Sequence, residues 1–132
     1  MPLYPEAKMP FETAAGVENR SGGYVDTAGV LLFLWSLLPE GVDYTQPYIT
    51  PMNAQSHNGL PPALLITCGY DMLRDVGHQY AQKLAASGNV ITYVHYPELP
   101  HGFIQMTRHS AHCMESTREI AELLGKALAK NS

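Results

Sequence analysis

A chain of 132 residues can bury the core of one domain, but it is too short for an eight-strand sheet with its covering helices. Hydrophobic residues make up 45% and charged residues only 15%, so more of the surface needs cover than in an ordinary small domain. A net charge of −4, a pI near 5.8 and Lys and Arg spread without a cluster exclude the basic patches that nucleic acid or an anionic membrane selects.

The start, Met1-Pro2-Leu3-Tyr4-Pro5, has no basic region and no long apolar core, and reads as no signal peptide. Residues 1–24 read as a loop punctuated by Pro2, Pro5, Pro10, Gly16, Gly22 and Gly23. Asp26 or Thr27 then caps a helix running through Leu38, which Pro39 and Gly41 end. The helix is apolar nearly all round, as a buried or unpartnered helix is. Its run from Ala28 to Leu38 is too short to span a bilayer. Residues 41–62 form a second long connector carrying Pro47, Pro51, Pro61 and Pro62; connectors of this length mark function or missing context.

The remainder is regular. Ala63–Cys68 is a continuous apolar run that suits a strand buried on both faces. Met72–Ser87 predicts a helix with Val76, Tyr80 and Leu84 stacked on one face. Beside them Gly77, Ala81 and Ala85 form a small-residue strip for close approach to a sheet. Gly88-Asn89 ends that helix, and Val90–Tyr96 is β-branched and aromatic. Strand, helix and strand make a parallel unit of right-handed crossover. A last helix, Met114–Lys130, places Ile120, Leu123, Leu124, Ala127 and Leu128 on one face, with Glu122 and Lys126 paired outward. Cys68 and Cys113 make no disulfide framework and read as reduced thiols, which places the chain in the cytoplasm.

Two runs carry the chemistry: Gly69-Tyr70-Asp71-Met72-Leu73-Arg74-Asp75 after the first strand and Pro100-His101-Gly102-Phe103 after the second. A parallel sheet delivers residues that follow its strands to one carboxyl rim, where open α/β sheets bind ligands. Asp71 and His101 therefore meet there, although thirty positions separate them. Asp accepting from Nδ1–H of His fixes the tautomer and leaves Nε2 as a base for a serine hydroxyl. Either residue alone has a plainer reading, Asp71 as a helix cap and His101 as a loop histidine; the two together, each behind a strand, favour catalysis. Asp75 reads as structural, stabilised in the first helical turn, with Arg74 free to pair elsewhere. No Gly-x-Ser-x-Gly occurs in the chain, and Ser21 in Arg20-Ser21-Gly22-Gly23 reads as a loop serine. Cys68 fails as a nucleophile because Ile66 stands where an elbow needs glycine. His109, His112 and Cys113 are close enough to suggest a metal site, but they lack a second, separated ligand pair and read as a polar helix start. No metal and no cofactor is expected.

On these residues the chain resembles the hormone-sensitive-lipase-like branch of the α/β-hydrolases, as its C-terminal part. Leu60–Asp75 resembles the stretch bearing the catalytic aspartate, which falls on Asp71, with Met72 where proline is common. His95-Tyr96-Pro97 with His101-Gly102-Phe103 resembles the stretch bearing the catalytic histidine, which falls on His101. Gln46-Pro47-Tyr48-Ile49-Thr50-Pro51 resembles the connector between cap helix and core, and Leu3-Tyr4-Pro5 the end of the strand that leads into the cap. The resemblance implies an α/β fold, the C-terminal portion of an α/β-hydrolase: a parallel strand-helix-strand unit, a C-terminal helix and a cap-like helix, without the N-terminal sheet. It divides the chain into a cap and connector segment, residues 1–59, and a core segment, residues 60–132. It implies Asp71 and His101 as catalytic, no nucleophile in this chain, and Phe33, Leu34, Leu37 and Phe103 as acyl-pocket residues.

The implied function is a serine carboxylesterase or lipase whose serine and oxyanion hole lie outside this chain, which is inactive alone; the alternative is a non-catalytic interaction module built from the same half-fold. The implied partners are an ester substrate once the site is completed, and an N-terminal hydrolase half or a second copy at the open sheet edge. Apolar surface left wet costs roughly 25 cal/mol per Å², and an open parallel edge is a template for pairing. The free chain is therefore expected to be marginal, aggregated or self-associated; a sharp cooperative melt at monomeric concentration would count against this.

Overall fold

The computed structural model describes residues 12–22, 25, 27–38, 41–43 and 45–129. Leu3-Tyr4-Pro5, Asp26 and Pro39 lie outside them.

Two parallel strands organise the chain, β1 (Ala63–Tyr70) and β2 (Ile91–Pro100), paired from Ala63 opposite Ile91 to Cys68 opposite Tyr96. The register then slips, and Tyr70 lies opposite Pro100. One residue of β1, Gly69, thus faces three of β2, Pro97, Glu98 and Leu99, in a bulge of two extra residues. Both strands run further than the sequence predicts, because Pro97 and Pro100 are tolerated at an irregular ladder where they would break a regular one.

Helix α3 (Arg74–Ala86) and helix α4 (Ala111–Ala129) cover opposite faces of the pair. Adjacent strand residues point to opposite faces. Thr67 meets α3 at Gly77, where a Cβ would stand 2.8 Å from the Thr67 Cγ2, so the small residue sets the helix-to-sheet distance. Cys68 points the other way, into a core of Tyr96, Leu99, Phe103 and Cys113, with Ile66, Val94, Met106 and Ile120 packed around it. On the α3 side Ala81 and Leu84 are buried, whereas Ala85, expected in the same small-residue strip, is exposed. The α4 helix starts three residues before the predicted Met114, as Ser110 caps it by accepting the Cys113 N–H through its hydroxyl at 3.3 Å.

Residues 12–22 are not all loop: α1 (Ala14–Glu18) is a short helix whose N-cap Thr13 accepts the Gly16 N–H at 3.0 Å. Helix α2 (Thr27–Leu37) follows. The long connector contains a 3-10 turn at Pro51–Asn53 and is held at its far end by side chains. The Asn89 amide accepts from Leu60 N–H at 2.8 Å and donates to the carbonyls of His57 at 2.6 Å and Leu84 at 2.9 Å. His57 is buried, bonds the Pro51 carbonyl at 2.9 Å through Nε2 and meets the Tyr80 ring edge-on. One residue in the turn after α3 thereby ties the connector to the core.

The apolar face of α4 is only half used. Ile120 and Leu123 are half-buried, but Leu124 and Leu128 are exposed. With Pro62, Val90 and Ala127 they line an open groove of about 440 Å³ at the end of the sheet opposite the Asp71 rim. Among the described residues no helix is long and apolar enough to cross a membrane.

Candidate active site

The carboxyl end of β1 hands the chain to α3 through a tight turn at Asp71. Asp71 Oδ1 accepts the Leu73 N–H at 2.9 Å, and the Asp71 carbonyl accepts the Arg74 N–H at 3.1 Å. This is an Asx turn leading into the helix. It aims Oδ2 the other way, where it accepts from the His101 ring at Nδ1, 2.9 Å distant. The capping and the histidine-facing readings of Asp71 are therefore not exclusive, since each oxygen serves one of them.

His101 reaches that oxygen because the bulge takes up two extra residues of β2, which brings His101 level with Asp71 instead of two residues beyond it. Its own N–H donates to the Tyr70 carbonyl at 3.2 Å, which locks the two loops together. Gly102 follows with φ of 74°, a left-handed turn where a Cβ is strained, and lets the chain fold back into a 3-10 turn at Phe103–Met106. Asp71 is buried, while the His101 side chain is 34% exposed and so reachable from outside the rim. The carboxylate hydrogen bond raises the His101 pKa above its ordinary 6.5, against the opposing effect of burial, and the Asp71 charge adds to the rise. A carboxylate only accepts, so Nδ1 carries the proton and Nε2 is the basic nitrogen.

The remaining sequence candidates are dispersed. Phe103 is 2% exposed and packs edge-on against Tyr96 with ring centroids 5.3 Å apart, in the core beneath the histidine loop. The side chains of Phe33 and Leu34 lie outside the description, and Leu37 is exposed on α2. Ser21 is exposed in a bend. Burial, with the neighbouring Asp71 charge, pushes the Cys68 thiol up to about 12, which suits a core residue and no nucleophile. His109 and His112 face solvent while Cys113 turns into the core. Among the described residues no three His, Cys, Asp or Glu side chains come together to hold a metal.

Asp75 is satisfied more elaborately than a first-turn acid needs. Its Oδ2 accepts the Ala15 N–H at 2.8 Å and its Oδ1 accepts from Arg74 Nε at 3.0 Å. Burial pushes its pKa up, but these two partners and the nearby His78 more than reverse that, and the carboxyl lies below the usual range. Arg74 does pair elsewhere, with Glu18 at 2.9 Å and the Gly69 carbonyl at 3.3 Å, while also binding Asp75.

Sequence reasoning passed over Gly69 itself. A Cβ built there would lie 1.8 Å from the Pro97 carbonyl oxygen, so the backbone of β2 crosses where a side chain would be. Glycine inside a strand marks close backbone approach or a bulge, but the sequence ends the strand at Cys68, and only the longer β1 brings Gly69 within it.

An acid and a histidine thus follow successive parallel strands and meet at one rim through Nδ1. A family model described as alpha/beta hydrolase fold matches residues 1–105, and the chain belongs to that family. The carboxylic ester hydrolase LipN of Mycobacterium tuberculosis is 34% identical over 89 residues, which is 67% of this chain and 24% of that protein. The carboxylesterase NlhH of the same organism is 28% identical over 129 residues, 95% of this chain and 40% of its own length. Among solved structures, the ester hydrolase EH1AB1 from the Lake Arreo metagenome, complexed with a bipyridine phosphonate derivative, superposes with a TM-score of 0.86 at 34% identity. That match covers 97% of this chain and 40% of the other. The chain thus spans well under half the length of these hydrolases.

Proposed function

We propose that this chain supplies the acid and the base of a Ser-His-Asp carboxylesterase site whose serine and oxyanion donors lie outside its 132 residues. The observation that carries this reading is the 2.9 Å bond from His101 Nδ1 to the buried Asp71 Oδ2, with the ring itself partly open to solvent. In the completed site, His101 Nε2 takes the proton of the serine as its oxygen attacks the ester carbonyl. It returns that proton to the leaving alcohol, then repeats the cycle with water. Asp71 holds the ring in the productive tautomer and stabilises the imidazolium. Backbone N–H donors for the oxyanion, commonly the largest single contribution, would come with the serine.

The isolated chain is accordingly inactive, since it offers neither a serine elbow nor a reactive thiol. The test is a fluorophosphonate probe applied to tagged chain recovered from its native source, read by intact mass. A labelled serine on an accompanying polypeptide, or on a longer form of this chain, is the expected result. Label on a serine within these residues, or on nothing, overturns the proposal. The open groove of Leu124, Leu128, Pro62 and Val90 favours a second reading, a non-catalytic interaction module, and absence of label with the groove occupied by another protein would select it.

A further inference from the structure

We infer that Arg74 is a positioning residue: its guanidinium holds the end of β1 against α1 and α3, and so fixes where Asp71 meets His101. Three acceptors from three segments converge on this one side chain. It donates through Nη1 to the Gly69 carbonyl at 3.3 Å, through Nε to Asp75 at 3.0 Å and through Nη2 to Glu18 of α1 at 2.9 Å. Its own N–H closes the turn on the Asp71 carbonyl. A planar fork with fixed donor directions can satisfy such a set, and an ammonium on a flexible stem cannot hold it in one geometry. The side chain is 23% exposed, so these bonds form where water competes only in part.

The anchor acts at the point where the ladder needs one. Gly69 is the residue opposite the bulge, its neighbour Tyr70 accepts the His101 N–H, and Asp71 follows. With Pro97 crossing over Gly69, this stretch has no regular partner on β2 to keep it in place. Arg74 supplies that restraint from the opposite side and refers it to α1, whose Ala15 N–H is itself tied to Asp75. Displacement of the Gly69 carbonyl would move Asp71 away from Nδ1, while Arg74 itself touches neither His101 nor the position of a reacting atom.

The inference takes its catalytic meaning from the triad reading, but its test needs no serine and so fails or succeeds separately. The full chain, with histidines labelled at Cε1, is titrated by NMR as Arg74→Lys and Arg74→Gln. The charged group facing His101 is Asp71, from the turn after β1; Arg74 lies beyond it with Asp75 and Glu18 bound to it, and Cys68 of β1, near Asp71, remains protonated over the range. Removing a cation by electrostatics alone would raise the His101 pKa. Loosening the Asp71 bond lowers it, by about half a unit or more. The expected result is a downward shift in both variants, with faster amide exchange at Leu73 and His101, whose N–H groups bond the same turn. A His101 pKa unchanged or raised in folded Arg74→Lys overturns the inference. Loss of the folded chain in Arg74→Lys overturns it too, since the arginine would then serve the fold as a whole and not the pair.

Discussion

Gly69→Ala is expected to destabilise the chain by about 3 kcal/mol or more, at the upper end of overpacking costs, and to separate Asp71 from His101. The added methyl would stand 1.8 Å from the Pro97 carbonyl oxygen, 2.6 Å from its carbon and 2.9 Å from its Cα. All three are backbone atoms of the neighbouring strand, so no side chain can rotate away. Either β2 retreats or the bulge opens, and both alter the ladder between the Cys68–Tyr96 pairing and the Tyr70–Pro100 pairing. His101 immediately follows Pro100, the last residue of β2, so the rim takes the displacement directly. Gly125→Ala is the matched control. Gly125 lies on exposed α4 with nothing within 4 Å of a new Cβ, and helix propensity predicts a gain of about 0.5–1 kcal/mol there. Urea midpoints of the two variants should therefore move in opposite directions. Equal midpoints would mean that the strands at Gly69 move apart at little cost and that the bulge is not what delivers His101 to the rim.

The parts of the fold legible in the sequence are those with a period. The apolar run of β1, the Val76, Tyr80 and Leu84 stack of α3 and the Gly-rich stop at Gly88-Asn89 each specify their element from local composition. The acid and the histidine were legible for a topological reason: parallel strands present their carboxyl ends on one side, so a residue just past each must share a rim. What the local pattern could not show is long-range satisfaction of polar groups. Asp75 looks like a helix-start acid, yet its partner is an amide sixty positions earlier in a helix too short to announce itself. Arg74 carries no sign of its three acceptors, because Glu18 lies 56 positions away and the Gly69 acceptor is a backbone carbonyl that no side-chain pattern marks. The resemblance implies a pocket position for Phe103, and its burial against Tyr96 depends on long-range packing that its place after His101-Gly102 does not show. Asn89 looks like a turn residue and is one, but it also clamps a connector that composition alone marks as loose.

Asp71→Asn should bring the His101 pKa from above its ordinary 6.5 to below it. The largest cause of the rise is the Asp71 hydrogen bond, and once the carboxylate is gone only burial remains, which favours the neutral ring. The consequence for stability has a definite sign. A histidine whose folded pKa exceeds its unfolded value stabilises the fold fully below the unfolded pKa, near 6.5, and loses that contribution as pH rises through the folded value. The difference in stability between the parent chain and Asp71→Asn should thus be largest at mildly acidic pH and shrink on the alkaline side of the raised His101 pKa. Denaturant midpoints across that range, with NMR titration of the ring, check both statements; parallel profiles would place Asp71 too far from Nδ1 to matter. The chemical effect runs through the tautomer. An asparagine amide can donate to Nδ1, which moves the ring proton to Nε2, the nitrogen that must accept the serine proton. When the serine-bearing part is present, turnover should fall by about 10⁴-fold, as it does when a triad aspartate is replaced by its amide, while covalent capture of substrate-sized phosphonates slows and does not vanish. An enzyme that kept its rate with the amide in place would have another base, and the 2.9 Å bond between Asp71 and His101 would then be a feature of the fold alone.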